Sequence, residues 1–272
     1  MKYGRIIAIV ISGICILLLI SSYSSWKSRL DNVKTSSEII HYTQIEPVGK
    51  GDIISREKDE SVSLSRKTVE ESIKNADEKV QNLLLNRIDA EEKVQLLIVG
   101  SNAMEDSSPG YATLLTNAIT NTYGDFIETT VVPFDGTSKQ FIDENMADID
   151  WGKGYDLVLL EPFTLNNNGI VKIEEEQKHI KTINEKALEE VSDAVLVLQP
   201  SYPIFNANYY LVQIHALENF SSTYAYPYIN HWSAWPDTTD SALNSLLTED
   251  KSPNSEGASV WASSLITYFT GQ

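Results

Sequence analysis

The chain has 272 residues, with 21 Lys and Arg against 38 Asp and Glu and a formal net charge of −17. The first thirty residues hold four bases and no acid, so the remainder carries 17 bases against 38 acids, and a surface that acidic repels phosphate backbones and argues against nucleic-acid binding. Cys15 is the only cysteine, which excludes intrachain disulfides and removes thiol nucleophiles and cysteine metal sites from everything after it.

Taken in chain order, Ile6 to Ile20 is an uncharged apolar run that continues without charge to Trp26, close to the ~20 residues that cross a bilayer. Lys2 and Arg5 precede it, which favours a cytoplasmic N-terminus. The expected layout is a cytoplasmic stub at 1–5, a membrane signal anchor at 6–26 and an extracytoplasmic remainder. The alternative is a signal peptide cut near Ser22–Ser25, which would make the remainder secreted. Residues 27–63 are polar and contain Pro47, Gly49 and Gly51, the composition of a linker. Val62, Val69, Ile73, Ala76, Val80 and Leu83 then follow helical spacing. Residues 64–93 are therefore either a helix packed on its own domain or a stalk forming a homodimer through 62–83.

From Val94 the pattern alternates. Val94–Val99, Phe126–Val132, Tyr155–Leu160, Asp193–Gln199 and Ala225–Asn230 read as strands. Helices are expected from Tyr111 onward, over Lys139–Met146, Glu174–Val191 and Ala207–Phe220, near Thr239–Leu247 and over Glu256–Phe269. Strands alternating with helices imply an α/β fold. The expectation is a three-layer αβα sandwich over 94–272, with a five-stranded parallel sheet of doubly wound, flavodoxin-like form. The ligand rim of such a sheet lies at the carboxyl ends of the strands. Three polar loops reach it, at Gly100–Ser108, around Gly136, and at Glu161–Gly169. The Glu174-Glu175-Glu176 run reads as a solvated helix start, and His179 and His215 as surface or packing residues. No histidine–carboxylate cluster has metal spacing, so neither a metal nor another cofactor is expected.

Two segments carry a resemblance. Gly100-Ser101-Asn102-Ala103 follows the first strand, and Glu249-Asp250-Lys251-Ser252-Pro253-Asn254-Ser255-Glu256-Gly257 precedes the last helix. They resemble the Gly-Asp-Ser-Leu nucleophile turn and the Asp-x-x-His-Pro-Asn-x-x-Gly segment of the SGNH/GDSL hydrolases. The resemblance spans Val94–Gln272. It implies an esterase or acyltransferase frame in which Gly136 and Asn166 hold an oxyanion and Glu249 stands at the acid position. Asn102 stands where the family has its serine and Ser252 where it has its histidine. An asparagine amide cannot replace an activated hydroxyl, and a serine is no base near neutral pH.

Three functional readings follow. The domain binds or helps to modify cell-envelope glycans or their acyl groups, as a pseudoenzyme. Alternatively, a displaced pair of Ser101 and His231, oriented by Asp237 or Glu249, restores acyl transfer on an envelope polysaccharide. The third reading is a stalk-dimerised scaffold. Tyr202, Phe205, Trp232 and Trp235 are either sugar-stacking residues or loop anchors.

Overall fold

A computed structural model describes residues 64–272. The stub, anchor and linker expected at 1–63 lie outside the described residues. Among those described, no helix is long and apolar enough to cross a membrane.

Four parallel strands form the sheet: β1 (Val94–Ser101), β2 (Ile127–Phe134), β3 (Leu157–Leu160) and β4 (Val195–Leu198), in the order β2-β1-β3-β4. Successive side chains of a strand point to opposite faces, and these strands are apolar on both. Leu96, Ile98, Leu157, Leu159 and Val197 enter one core, whereas Leu97, Val99, Val158, Leu160 and Leu198 enter the other. Helices α1 (Arg66–Ser72), α2 (Glu78–Asp89), α3 (Tyr111–Tyr123) and α8 (Ser255–Thr270) cover the first face. Beyond the short turns α4 (Ser138–Gln140) and α5 (Thr164–Asn167), helices α6 (Ile173–Glu190) and α7 (Asn208–Tyr224) cover the second. This is the expected three-layer arrangement.

The sheet has four strands, not the expected five. Ala225–Asn230 contributes only an isolated parallel bridge, Leu198 to Tyr228. The Leu198 N–H donates to Pro227 O at 2.8 Å and the Ile229 N–H to Leu198 O at 2.9 Å. Pro227 has no N–H to extend the ladder, and Asn230 already caps the 3-10 turn His231–Ala234. The helix expected over Lys139–Met146 is also broken: Ser138–Gln140 passes into a π turn at Phe141–Asn145. That wider turn carries Phe141 into full burial between Phe134 and Phe163, with ring centroids 5.7 and 5.1 Å away.

The 64–93 stripe is packed on its own domain. It splits into α1 and α2 because Asp77 caps a new helix, accepting the Lys79 N–H at 2.9 Å. Val69, Ile73, Val80, Leu83 and Leu84 are all buried in the core shared with α3 and α8. Among the described residues, the apolar positions Val69, Ile73, Ala76, Val80 and Leu83 of the stripe are thus turned into their own domain; Val62 lies outside the described residues. Arg87 fastens α2 to the amino ends of the strands, donating to Asp156 at 2.8 Å and to Asp193 at 2.7 Å. Asp156 in turn accepts the Gln95 N–H at 2.8 Å.

Helix α8 returns to this N-terminal pair and to the end of α3. Asn75 donates to Thr267 O at 3.1 Å, the Asp77 N–H to the Tyr268 hydroxyl at 3.0 Å, and the Tyr123 hydroxyl to Phe269 O. Asn254 caps α8 by accepting the Glu256 and Gly257 N–H groups, both at 3.0 Å. Gly257 is held so close to the preceding 3-10 turn that a Cβ there would lie 2.2 Å from Leu246 O. Gly257→Ala should therefore lower stability by about 3 kcal/mol, because the clash is with backbone and cannot relax by a rotamer change. Urea unfolding of the two proteins measures it.

Candidate functional site

The carboxyl ends of the strands converge on Ser101, Glu161 and Ser201. Ser101 ends β1, and its N–H donates to Glu161 Oε2 at 2.8 Å. Glu161 directly follows β3 and also accepts the Ser201 hydroxyl. All three residues are buried. Gly100 makes room for this acid, since a Cβ there would sit 2.8 Å from Glu161 Cβ. The carboxyl group thus lies beneath the turn and ties β1, β3 and the segment after β4 together.

Above it, Asn102 opens a 3-10 turn and is exposed. Its carbonyl accepts the Glu105 N–H at 2.9 Å. Glu105 accepts the Thr113 N–H at 2.8 Å and so braces the start of α3. Ser252 lies across from this loop, its hydroxyl donating to Asp106 Oδ2 at 2.9 Å. At the position where the resemblance leads one to expect a base, a hydroxyl thus faces a carboxylate. Glu249 is exposed in the tight loop between Thr248 and Ser252, whose backbones bond at 2.8 Å.

The loops of Gly136 and Asn166 touch: Asn166 Nδ2 donates to Gly136 O at 3.0 Å. Asn167, next to it, is fully buried and structural. It accepts the Ser138 N–H at 2.9 Å and donates to Glu176 Oε2 at 2.6 Å. Thr164 donates to the other Glu176 oxygen at 3.0 Å. Glu176 is buried, and desolvation raises its pKa to about 7, with the negative field of Glu161 adding to the rise. This corrects the reading of Glu174–Glu176 as wholly solvated. A signal existed, because Glu176, Ile180, Ile183 and Ala187 fall on one helical face, and all are buried. His179 is half-buried, its Nδ1 lying 2.8 Å from the Ser138 hydroxyl.

Among the described residues no hydrogen bond joins Ser101 and His231. His231 is fully buried and stacked on Trp261, with centroids 4.8 Å apart. Its Nε2 bonds Pro200 O at 2.9 Å, and its Nδ1 accepts the Trp235 indole N–H at 3.1 Å. Both nitrogens are thereby committed, the first as donor and the second as acceptor. Burial pushes the imidazole down to about 3, so it stays neutral. Among the described residues the Ser101 hydroxyl makes no hydrogen bond, while Asp237 is turned to Thr239 at 2.6 Å. Trp232 donates to Ser201 O at 2.6 Å, and Tyr202 and Trp235 are buried. These aromatic residues anchor the loops.

The backbone frame invites comparison with solved structures. A catalytic mutant of an acetylxylan esterase from Geobacillus stearothermophilus aligns with a TM-score of 0.52 and 11% identity, over 65% of this chain and 94% of that one. A putative GDSL-like lipase from Parabacteroides merdae gives 0.54 and 10%, over 65% and 95%. A putative lipolytic protein of the G-D-S-L family from Desulfitobacterium hafniense gives 0.53 and 15%, over 65% and 99%. The fold is that of the SGNH/GDSL hydrolases. At these identities the likeness is one of fold. No protein-family model and no curated protein matches the sequence. At the corner before α8, Pro253 is buried, Asn254 caps the helix and Gly257 makes the close approach.

Proposed function

We propose that the SGNH-like domain binds acylated glycan of the cell envelope and does not cleave it. The reading rests chiefly on Ser252, whose hydroxyl meets Asp106 where the family's base would stand. The commitment of both His231 nitrogens supports the same reading, because a neutral, doubly bonded imidazole accepts no proton from Ser101. What the rim offers instead is uncharged donors, the Asn102 and Asn166 amides. Each contributes about 1 kcal/mol to a carbonyl or sugar hydroxyl. We further propose that residues 6–26 anchor the domain outside the cytoplasm, on the strength of the uncharged run and its preceding bases.

The test has two parts on the full chain. Incubation with a fluorophosphonate probe is expected to give no covalent labelling. Acetylated xylo-oligosaccharides, chosen because a fold neighbour is an acetylxylan esterase, are expected to bind without release of acetate. Asn166→Ala should weaken that binding about fivefold, the equivalent of one hydrogen bond. Labelling abolished by both Ser101→Ala and His231→Ala would overturn the reading in favour of an esterase with a displaced pair.

A further inference from the structure

A shallow depression lies away from the rim, where the sheet edge beyond β4 meets α8 and the α1–α2 connection. There a cleft of about 430 Å³ is lined by nine residues, none of them charged. Charged residues make up 22% of the chain, and nine residues drawn at that rate would include about two. The contrast is local, because the adjoining cleft of about 390 Å³ shares Tyr228 but carries Asp77, Glu78, Lys79 and Glu218. Asn102, Gly136, Asn166 and Ser252 line neither cleft.

The lining of the uncharged cleft has a consistent chemistry. Asn75 and Asn230 bring amides, and Ser263, Ser264 and Thr267 bring hydroxyls from α8. Tyr228 and Tyr268 bring aromatic rings. Several of these groups are held in place. Asn75 is fixed on Thr267 O at 3.1 Å, and the Tyr268 hydroxyl accepts the Asp77 N–H at 3.0 Å. The backbone adds a further pair. Pro227 O and the Ile229 N–H face Leu198, so alternation turns the N–H and C=O of Tyr228 away from β4. Among the described residues neither group has a hydrogen-bond partner. An unpaired edge donor and acceptor beside amides, hydroxyls and flat rings suits a ligand that has many hydroxyls, apolar ring faces and no charge.

We propose that this cleft is a binding site for an uncharged oligosaccharide, separate from the rim site and independent of whether the rim binds or cleaves. An acidic glycan is disfavoured on a chain of net charge −17.

Titration of the full chain with xylohexaose and with chitohexaose, followed by calorimetry, tests the proposal. At least one hexasaccharide is expected to bind. Ser264→Arg should weaken it tenfold or more by placing a charged side chain in the cleft. Ser264 makes no hydrogen bond among the described residues, so the change removes none; an unchanged thermal midpoint verifies the fold. Ser263→Arg, at an exposed position, provides a second blocking variant. The loss caused by Ser264→Arg should be as large in an Asn166→Ala background as in the parent, which separates the cleft from the rim. The proposal is overturned if neither sugar binds, if both arginine variants bind like the parent, or if Asn166→Ala alone abolishes binding.

Discussion

Glu161→Ala is expected to destabilise the domain by about 3–5 kcal/mol, because it orphans two buried donors at once. The Ser101 N–H loses its only acceptor among the described residues, and the Ser201 hydroxyl loses its partner. Water cannot substitute readily, since Ser101, Glu161 and Ser201 are all buried. Glu161→Gln should cost about 1 kcal/mol. Its amide oxygen can accept the Ser101 N–H, and its NH₂ can donate to Ser201 once that hydroxyl rotates to accept. Urea unfolding of the full chain, followed by tryptophan fluorescence, ranks the three proteins. Equal losses for Ala and Gln would mean that the carboxyl group acts through its charge and not through these two bonds.

Glu176→Gln should change the pH dependence of stability more than its value at acid pH. In the folded chain burial raises the Glu176 pKa from the ordinary 4.5 to about 7. Between those limits the native state keeps a proton that the unfolded chain has released, so stability falls as pH rises. The destabilisation is absent below the unfolded value and complete above pH 7. At 1.36 kcal/mol per unit it amounts to about 3 kcal/mol. Glutamine mimics the protonated acid, accepting from Asn167 and donating to Thr164. Parent and variant should therefore have equal stability near pH 4, and the variant should be about 3 kcal/mol more stable at pH 8. Denaturant midpoints across that range decide it, and a constant offset at every pH would show that Glu176 does not titrate there.

The apolar strand runs made the fold legible, since Val94–Val99 and Tyr155–Leu160 announce strands buried on both faces. The frame Pro253, Asn254, Gly257 was legible for a related reason. Those residues build the corner before α8, and a corner needs a cap and a position without a Cβ. The fifth strand misled because alternation around Tyr226 and Tyr228 does not reveal that Pro227 interrupts the ladder. His231 misled because it follows the last strand in sequence, as a rim residue would, yet its ring turns inward onto Trp261. Glu161 could not be read at all. A lone acid after a strand has the look of any loop residue, and only the fold shows that Gly100 clears a space for it. Glu176 could have been read, because it continues the spacing of Ile180 and Ile183 backwards by one turn.

The clasp between α8 and the α1–α2 pair bears on the order in which the domain is assembled. Residues 72–77 are joined to 267–271 by the Asn75 and Asp77 bonds, and a Cβ on Gly271 would lie 2.8 Å from Ser72 O. The α1–α2 pair, which opens the described residues, therefore completes its packing only with the helix that closes the domain. Until α8 emerges, the sheet face that carries Leu96 and Ile98 lacks one of its four covering helices and α1 lacks part of its seat. A chain threaded through a membrane pore from its N-terminus would consequently remain incomplete, and open to holdase chaperones and proteases, until nearly the whole domain had crossed.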